Sequence, residues 1–150
     1  GCIGIKITIT GGGQGGSDRN AGGSNAATGI LLRDVTGLAS ATITIGAGGA
    51  GTRNTSYGSN GGSSIWVGGG TITANGGLTA GATATGADLA LSGSTRTTSA
   101  DGASSYWGQG AGASALATGY DGVAYGSGGG RGDDQGGDGA PGVCVVEEFY

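Results

Sequence analysis

The chain of 150 residues contains no histidine, no methionine and one proline, and only 11% of its residues are charged. Without histidine, the commonest acid–base side chain is missing, and Ser-His triads and histidine-based zinc sites are excluded. The two cysteines are too few to form a structural zinc site. We therefore predict no catalytic residue, no metal site and no cofactor, and we expect that the protein is not an enzyme.

Basic residues and long apolar runs are also scarce. The net charge is −4, and the six Lys and Arg residues are scattered along the chain without forming a basic stripe. This distribution argues against binding to nucleic acid. No apolar stretch approaches the roughly 18 residues that a membrane-spanning helix needs, so we expect no membrane insertion.

Acidic residues cluster at one place, where Asp133, Asp134 and Asp138 lie in a glycine tract. The sequence GGRGDDQ there is similar to a calcium-binding nonapeptide, but the apolar position falls on Gly136 and the Gly-Gly pair recurs too early. We interpret the cluster as a solvated acidic loop, with a single bound cation as the alternative.

Glycine is what the chain has in abundance. It accounts for 41 residues, against 23 for Leu, Ile, Val and Phe together, a composition that usually indicates low complexity or disorder. The low charge argues against an open chain. Because glycine loses more backbone freedom on folding than any other residue, this chain must recover that loss through backbone hydrogen bonds and close packing. An oligomer, or a lattice of tightly packed glycine helices, would meet this need.

Strand signals come in short islands that are rich in β-branched residues. They cover residues 3–10, 30–35, 41–45, 64–67, 71–73, 87–91 and 143–150. We expect 64–67 and 71–73 to form a hairpin, Ile43 and Ile45 to point inward, and the last strand to lie beside the first. Helical periodicity is nearly absent, which predicts an all-β fold with virtually no helix.

Glycine tracts separate the strands at residues 11–23, 46–62, 108–112 and 126–142. They are either long surface loops or extended three-fold left-handed helices of the polyproline II type, stacked so that neighbours satisfy one another's hydrogen bonds. Structureless loops of this length are uncommon in a compact domain. We therefore predict one domain over residues 1–150, in which short strands and polyglycine II-like segments pack in a compact sandwich.

The two cysteines lie near the ends of the sequence. Alternation places Cys2 opposite the isoleucines of the first strand, together with Lys6, and places Cys144 on the same side as Val146. We interpret both as small buried thiols, and a disulfide between them stays open.

The order of these pieces resembles a known family. The most specific stretches are ATITIGAGGAG and GAPGVCVVEEFY, with ITITGGGQGG, GGSSIWVGGGTITANGG, SSYWGQGAG and VAYGSGGG around and between them. They are similar to the glycine-rich domain at the C-terminal end of bacteriophage and prophage tail fibres. Residues 78–101 and 113–117 are poorer in glycine than that family usually is.

The resemblance implies the following expectations. The chain would be the C-terminal part of a longer fibre protein, synthesised in bacterial cytoplasm and carried at the tip of the virion's tail fibre. It would form a homotrimer and bind a glycan or an outer-membrane protein on the surface of the bacterial host.

Candidate contact residues follow from the breaks between glycine tracts. Saccharides are commonly bound by aromatic faces flanked by planar polar groups. The breaks that offer such residues contain Arg53, Asn54 and Tyr57, then Tyr120 and Asp121, and thirdly Arg19 and Asn20. Trp66 and Trp107 are further candidates, which we interpret first as residues that fill gaps between glycine segments.

Two other functions compete with adhesion. The chain could be a structural fibre segment without a receptor. It could also be a glycine-rich ice-binding protein, because ITIT, TITI and TITA offer pairs of outward threonines. Against ice binding, we expect those threonines to fall in strands of differing separation rather than in one regular array.

Overall fold

The computed structural model describes residues 1–18, 21–95, 100–114 and 117–150, none of which is helical. These residues form two antiparallel sheets of four strands each, which confirms the all-β prediction. The strands are β1 Gly4–Thr10, β2 Thr28–Asp34, β3 Thr42–Thr44, β4 Ser64–Val67, β5 Thr71–Ala74, β6 Ala84–Thr85, β7 Leu89–Leu91 and β8 Val143–Phe149. Within the described ranges there is also no helix that could cross a membrane.

The first sheet has the strand order β7-β2-β1-β8, and the second has the order β3-β4-β5-β6. Alternation along β1 directs three isoleucines toward the second sheet, where they meet side chains of β4 and β5. The buried cluster consists of Ile5, Ile7, Ile9, Leu31, Trp66, Ile72 and Ala74. This small apolar core lies between the two sheets.

Most of the predicted strands are confirmed. β8 pairs with β1 over its whole length, as expected for the last strand. The hairpin of β4 and β5 turns at Gly69 and Gly70, whose φ angles of 62° and 146° favour glycine. The sequence missed β6 because a pair of two residues carries too little alternation to be recognised.

Ile43 and Ile45 are more exposed than their predicted inward direction implies. Ile43 pairs with Trp66 and therefore points to the core side of its sheet. However, β3 is an edge strand, so Ile43 is 44% exposed, and Ile45, just beyond the strand, is 46% exposed. The alternation of residues in the sequence predicts which face of the sheet a side chain points to. Its burial also depends on whether its strand lies at the edge of the sheet.

The glycine tracts are joined by backbone hydrogen bonds with a regular repeat. Gly11, Gln14 and Ser17 donate to the segment 21–27, Gly12 and Gly15 donate to the segment 59–62, and Gly13 and Gly16 donate to the segment 137–140. Each neighbour is thus met at every third residue. A period of three residues is that of a polyproline II-type helix, and it supports the polyglycine II-like interpretation over that of loose loops.

The carbonyl groups of the same segment serve three further neighbours. Gly12 accepts from Gly77, Gly13 accepts from Gly49, and Gln14 accepts from Gly129. Residues 11–17 therefore lie at the centre of a bundle, with six segments around them. All these bonds lie within one chain, so glycine packing by itself does not require an oligomer.

Such close approach depends on the missing side chains. A Cβ atom built on Gly12 would lie 2.0 Å from the carbonyl oxygen of Ala47, and one on Gly13 would lie 1.9 Å from that of Ser127. Both separations are far inside van der Waals contact, and the obstacle is backbone that has no freedom to rotate away. The glycines of the bundle are therefore a steric requirement of its packing.

Gln14 is the exception inside the bundle, because it is a long polar residue that is only 1% exposed. Its amide nitrogen lies 3.2 Å from each of three acceptors, which share its two N–H hydrogens: the carbonyl oxygen of Gly58, Asn60 Oδ1 and Thr79 Oγ1. Its side-chain oxygen accepts from the backbone N–H of Ser24. The side chain therefore joins the central segment to three others, which contain Ser24, Gly58 with Asn60, and Thr79.

Both cysteines carry free thiols and pack, half-buried, against the core. Cys144 lies opposite Ile9 on the inner face, as predicted, and burial raises the pKa of its thiol. Cys2 was expected on the other face, but it precedes the first residue of β1, Gly4, so strand alternation does not extend to it. The distance along β1 from Gly4 to Ile9, about 17 Å, keeps the two thiols apart.

Replacing Gly49 by Val is expected to abolish folding. The Cβ atom of residue 49 would lie 2.0 Å from the carbonyl oxygen of Ser59, and relieving that clash means separating two segments of the bundle. Ala50→Val is the matched control, because Ala50 is exposed in the same segment and its substitution should change the free energy of unfolding by no more than about 0.5 kcal/mol. Circular dichroism and urea denaturation measure both. A Gly49→Val protein as stable as the parent would contradict the steric account.

Gln14→Ala should lower the free energy of unfolding by about 2–4 kcal/mol, because it removes one buried and further part-buried hydrogen bonds of a fully buried side chain and leaves a cavity. Gln109 is exposed, so Gln109→Ala serves as the control and should have an effect of at most about 0.5 kcal/mol. Urea unfolding followed by tryptophan fluorescence gives both values. Equal effects of the two substitutions would show that Gln14 does not join the segments.

Candidate functional site

The bundle has a sheet end and a distal end. Its central segment leaves β1 at Thr10 and reaches Ser17, which bridges to Thr52, while Thr118 bridges to Gln135 at a similar level. At about 3.1 Å per residue, seven residues of such a segment extend about 22 Å from the sheet. We call the described connections near this level the distal loops, and they comprise residues 52–58 and 131–135.

The loop 52–58 is held by its own hydrogen bonds. The hydroxyl groups of Thr52 and Thr55 both donate to the carbonyl oxygen of Tyr57, at 2.7 and 2.8 Å. Asn54 has a φ angle of 57°, a left-handed conformation that asparagine tolerates better than most residues. Its backbone N–H donates to Asp18 Oδ2 at 2.7 Å. The loop is therefore shaped and anchored before any ligand arrives.

This loop carries the first group of candidate contact residues. Arg53 and Asn54 are exposed, and Tyr57 is 50% exposed. A cation, an amide and an aromatic ring are thus presented on one short ordered loop. This is the combination for which the sequence singled out these positions.

The second group, Tyr120 and Asp121, lies on the flank of the bundle. Tyr120 is 57% exposed, and its carbonyl oxygen accepts from the N–H of Gly130. Asp121 Oδ1 accepts from the N–H of Asp138 at 2.8 Å, and Asp138 Oδ1 accepts from the N–H of Gly51 at 2.7 Å. Through Asp138, these two hydrogen bonds connect the segment of Tyr120 to Gly51, the residue that precedes loop 52–58.

The third group, Arg19 and Asn20, lies outside the residues that the structure describes. On either side of them, Ser17 and Ala21 are hydrogen-bonded through backbone and side chain.

The two tryptophans lie away from the distal loops. Trp66 is 5% exposed in the core, and its Nε1 donates to the carbonyl oxygen of Gly68 at 3.0 Å. Trp107 is half-buried on the outer face of the first sheet, where its Nε1 donates to Thr10 Oγ1 at 2.8 Å. The ring of Tyr106 packs edge-on against it, with centroids 5.1 Å apart. These contacts favour the interpretation of both tryptophans as packing residues.

Four aspartates join segments of the chain by accepting backbone N–H groups. The carboxylates of Asp18, Asp101, Asp121 and Asp138 each accept a backbone N–H. Among the described residues, no three His, Cys, Asp or Glu side chains converge as metal ligands would. Sequence reasoning missed this anchoring role, because an aspartate beside a glycine tract shows which segment it belongs to and not which segment it reaches.

An open apolar groove lies at the opposite, sheet end of the molecule, and its volume is about 440 Å³. Ile3, Ile5, Leu32 and Phe149 line it, with Arg33 and Asp34 at its margin. It contains none of the candidate contact residues.

Comparison with known proteins does not assign the chain to a family. No protein-family model matches it, and no curated protein sequence matches it.

Asp18→Ala should loosen loop 52–58 without unfolding the protein. Asp18 is 6% exposed, and a hydrogen bond to a charged group is worth about 1.5–3 kcal/mol. Hydrogen exchange of the Asn54 amide, followed by NMR, should therefore accelerate by at least about tenfold. Asp133 is exposed, and Asp133→Ala should leave that rate unchanged. An Asn54 amide that exchanges at the parent rate in Asp18→Ala would rule out the anchoring role.

Proposed function

We propose that the chain is the receptor-binding tip of a bacteriophage tail fibre, an adhesin that attaches the virion to a bacterial surface. The observation that carries this proposal is the ordered loop 52–58, which the glycine bundle holds at one end of the molecule with Arg53, Asn54 and Tyr57 exposed. The sequence resemblance to tail-fibre domains points to the same function.

The ligand is a surface glycan or a loop of an outer-membrane protein. A tyrosine face packs against the C–H face of a sugar ring or against an apolar side chain, while arginine and asparagine supply donors and an acceptor to hydroxyl groups or carbonyls. The rigidity of the loop matters because an ordered loop loses little conformational entropy when it binds. Tyr120 and Asp121 extend the contact surface along the flank.

Attachment gains strength from repetition. Three chains in a homotrimer, on several fibres of a virion, raise avidity well above the affinity of one site. The outer face of the first sheet supports such an assembly, because Leu32, Leu89 and Phe149 are 61, 51 and 48% exposed there. Apolar side chains grouped in this way mark interaction surfaces.

Competition for adsorption tests the proposal. The purified chain, added to host cells before the phage that carries this fibre, should block adsorption in proportion to its concentration. Chains with Tyr57→Ala and Arg53→Ala should need at least about tenfold more protein for the same block, since contacts of this kind are worth about 1–2 kcal/mol or more. Tyr125 is 51% exposed near the sheet end of the bundle, so Tyr125→Ala is the control and should block like the parent.

A folded chain that neither binds host cells nor slows adsorption would contradict the adhesin and favour a purely structural fibre segment. Equal losses in Tyr57→Ala and Tyr125→Ala would move the contact site away from loop 52–58.

A further inference from the structure

The outer face of the second sheet carries a regular array of β-branched side chains. Cross-strand pairing places Thr44, Ile65, Thr73 and Thr85 in one row and Thr42, Val67 and Thr71 in the next. Five of the seven are exposed, and Ile65 and Thr73 are half-exposed. The threonine pairs of TITI and TITA share this face on either side of β4. Thr8 and Thr10 of ITIT lie in the first sheet and are buried rather than outward, so the three pairs do not form one array, as expected.

The array has two fixed repeats. Neighbouring strands lie about 4.8 Å apart, and successive residues on one face of a strand lie about 6.8 Å apart. Threonine occupies five of the seven points, where it presents one hydroxyl and one methyl group on a branched side chain with few rotamers, and Ile65 and Val67 of β4 occupy the other two. Both repeats are close to the oxygen–oxygen repeats on the prism face of hexagonal ice, so hydroxyl groups held at these points can order water in the same pattern.

The chemistry of this face excludes the more usual ligands. None of the four strands contains a charged residue, so no ionic partner is favoured. Their one aromatic residue, Trp66, points into the core, which leaves no ring for a sugar to stack on. Only Ile65 and Val67 are aliphatic among the seven, which is little apolar area for a protein interface.

We propose that the outer face of the second sheet, with Thr42, Thr44, Thr71, Thr73 and Thr85 as its hydroxyl points, binds ice. This activity does not depend on the receptor-binding function, because it uses the opposite end of the chain from the distal loops. The sheet is stiff enough to hold the pattern, since its strands run directly into the glycine bundle, where Gly46 N–H donates to Ser64 Oγ at 3.0 Å.

Freezing-point measurements on single ice crystals test the proposal. The parent protein should separate the freezing temperature from the melting temperature and facet the crystal. Thr71→Lys and Thr44→Lys each place a hydrated charge on an exposed point of the array and should abolish the effect. Thr36→Lys puts the same charge on an exposed threonine outside the second sheet and should leave the effect intact, and circular dichroism should show all three variants folded.

Parent protein that leaves ice growth unaltered would overturn the proposal, and so would ice shaping that survives both lysine substitutions. None of these outcomes bears on adsorption to host cells.

Discussion

Hydrogen bonding between backbones that carry no side chains is the constraint on which the rest of the structure depends. The segment around Gln14 has a partner on each of six sides, and it meets the same partner again after three residues. A side chain on an inward position would collide with a carbonyl group, as the distances at Gly12 and Gly13 show. In this chain, a glycine-rich composition that usually indicates disorder is therefore what allows the segments to pack closely.

This constraint also determines where a function can lie. Inside the bundle the backbone groups bond to one another, so apart from Gln14 the distinctive side chains lie on the connections, on the flank of the bundle and on the sheets. Tyr57 and Arg53 lie on one such connection, and Thr71 and Thr73 lie on a sheet face. The bundle and the sheet hold these side chains in place. A chain with a small apolar core therefore has two ordered surfaces.

Local patterns in the sequence predicted the local features of the fold. Alternation identified β1 and β8 and their adjacency, and Gly68 to Gly70 marked the hairpin. The exposure of Ile43, the anchoring of Asn54 by Asp18 and the common array of Thr44 and Thr73 were not predictable. Each depends on which distant segments become neighbours, and a chain whose segments are nearly identical glycine tracts carries little information about that choice.

The three-residue repeat of the bundle has an evolutionary consequence. Deleting one residue from a tract would turn everything beyond it by a third of a helical turn, so that donors would face donors and methyl groups would face carbonyls. Insertions and deletions that the fold accepts should therefore come in multiples of three within the tracts. The connections between the tracts have no three-residue repeat to preserve. Their lengths and sequences are therefore free to diverge while the bundle that displays them stays the same.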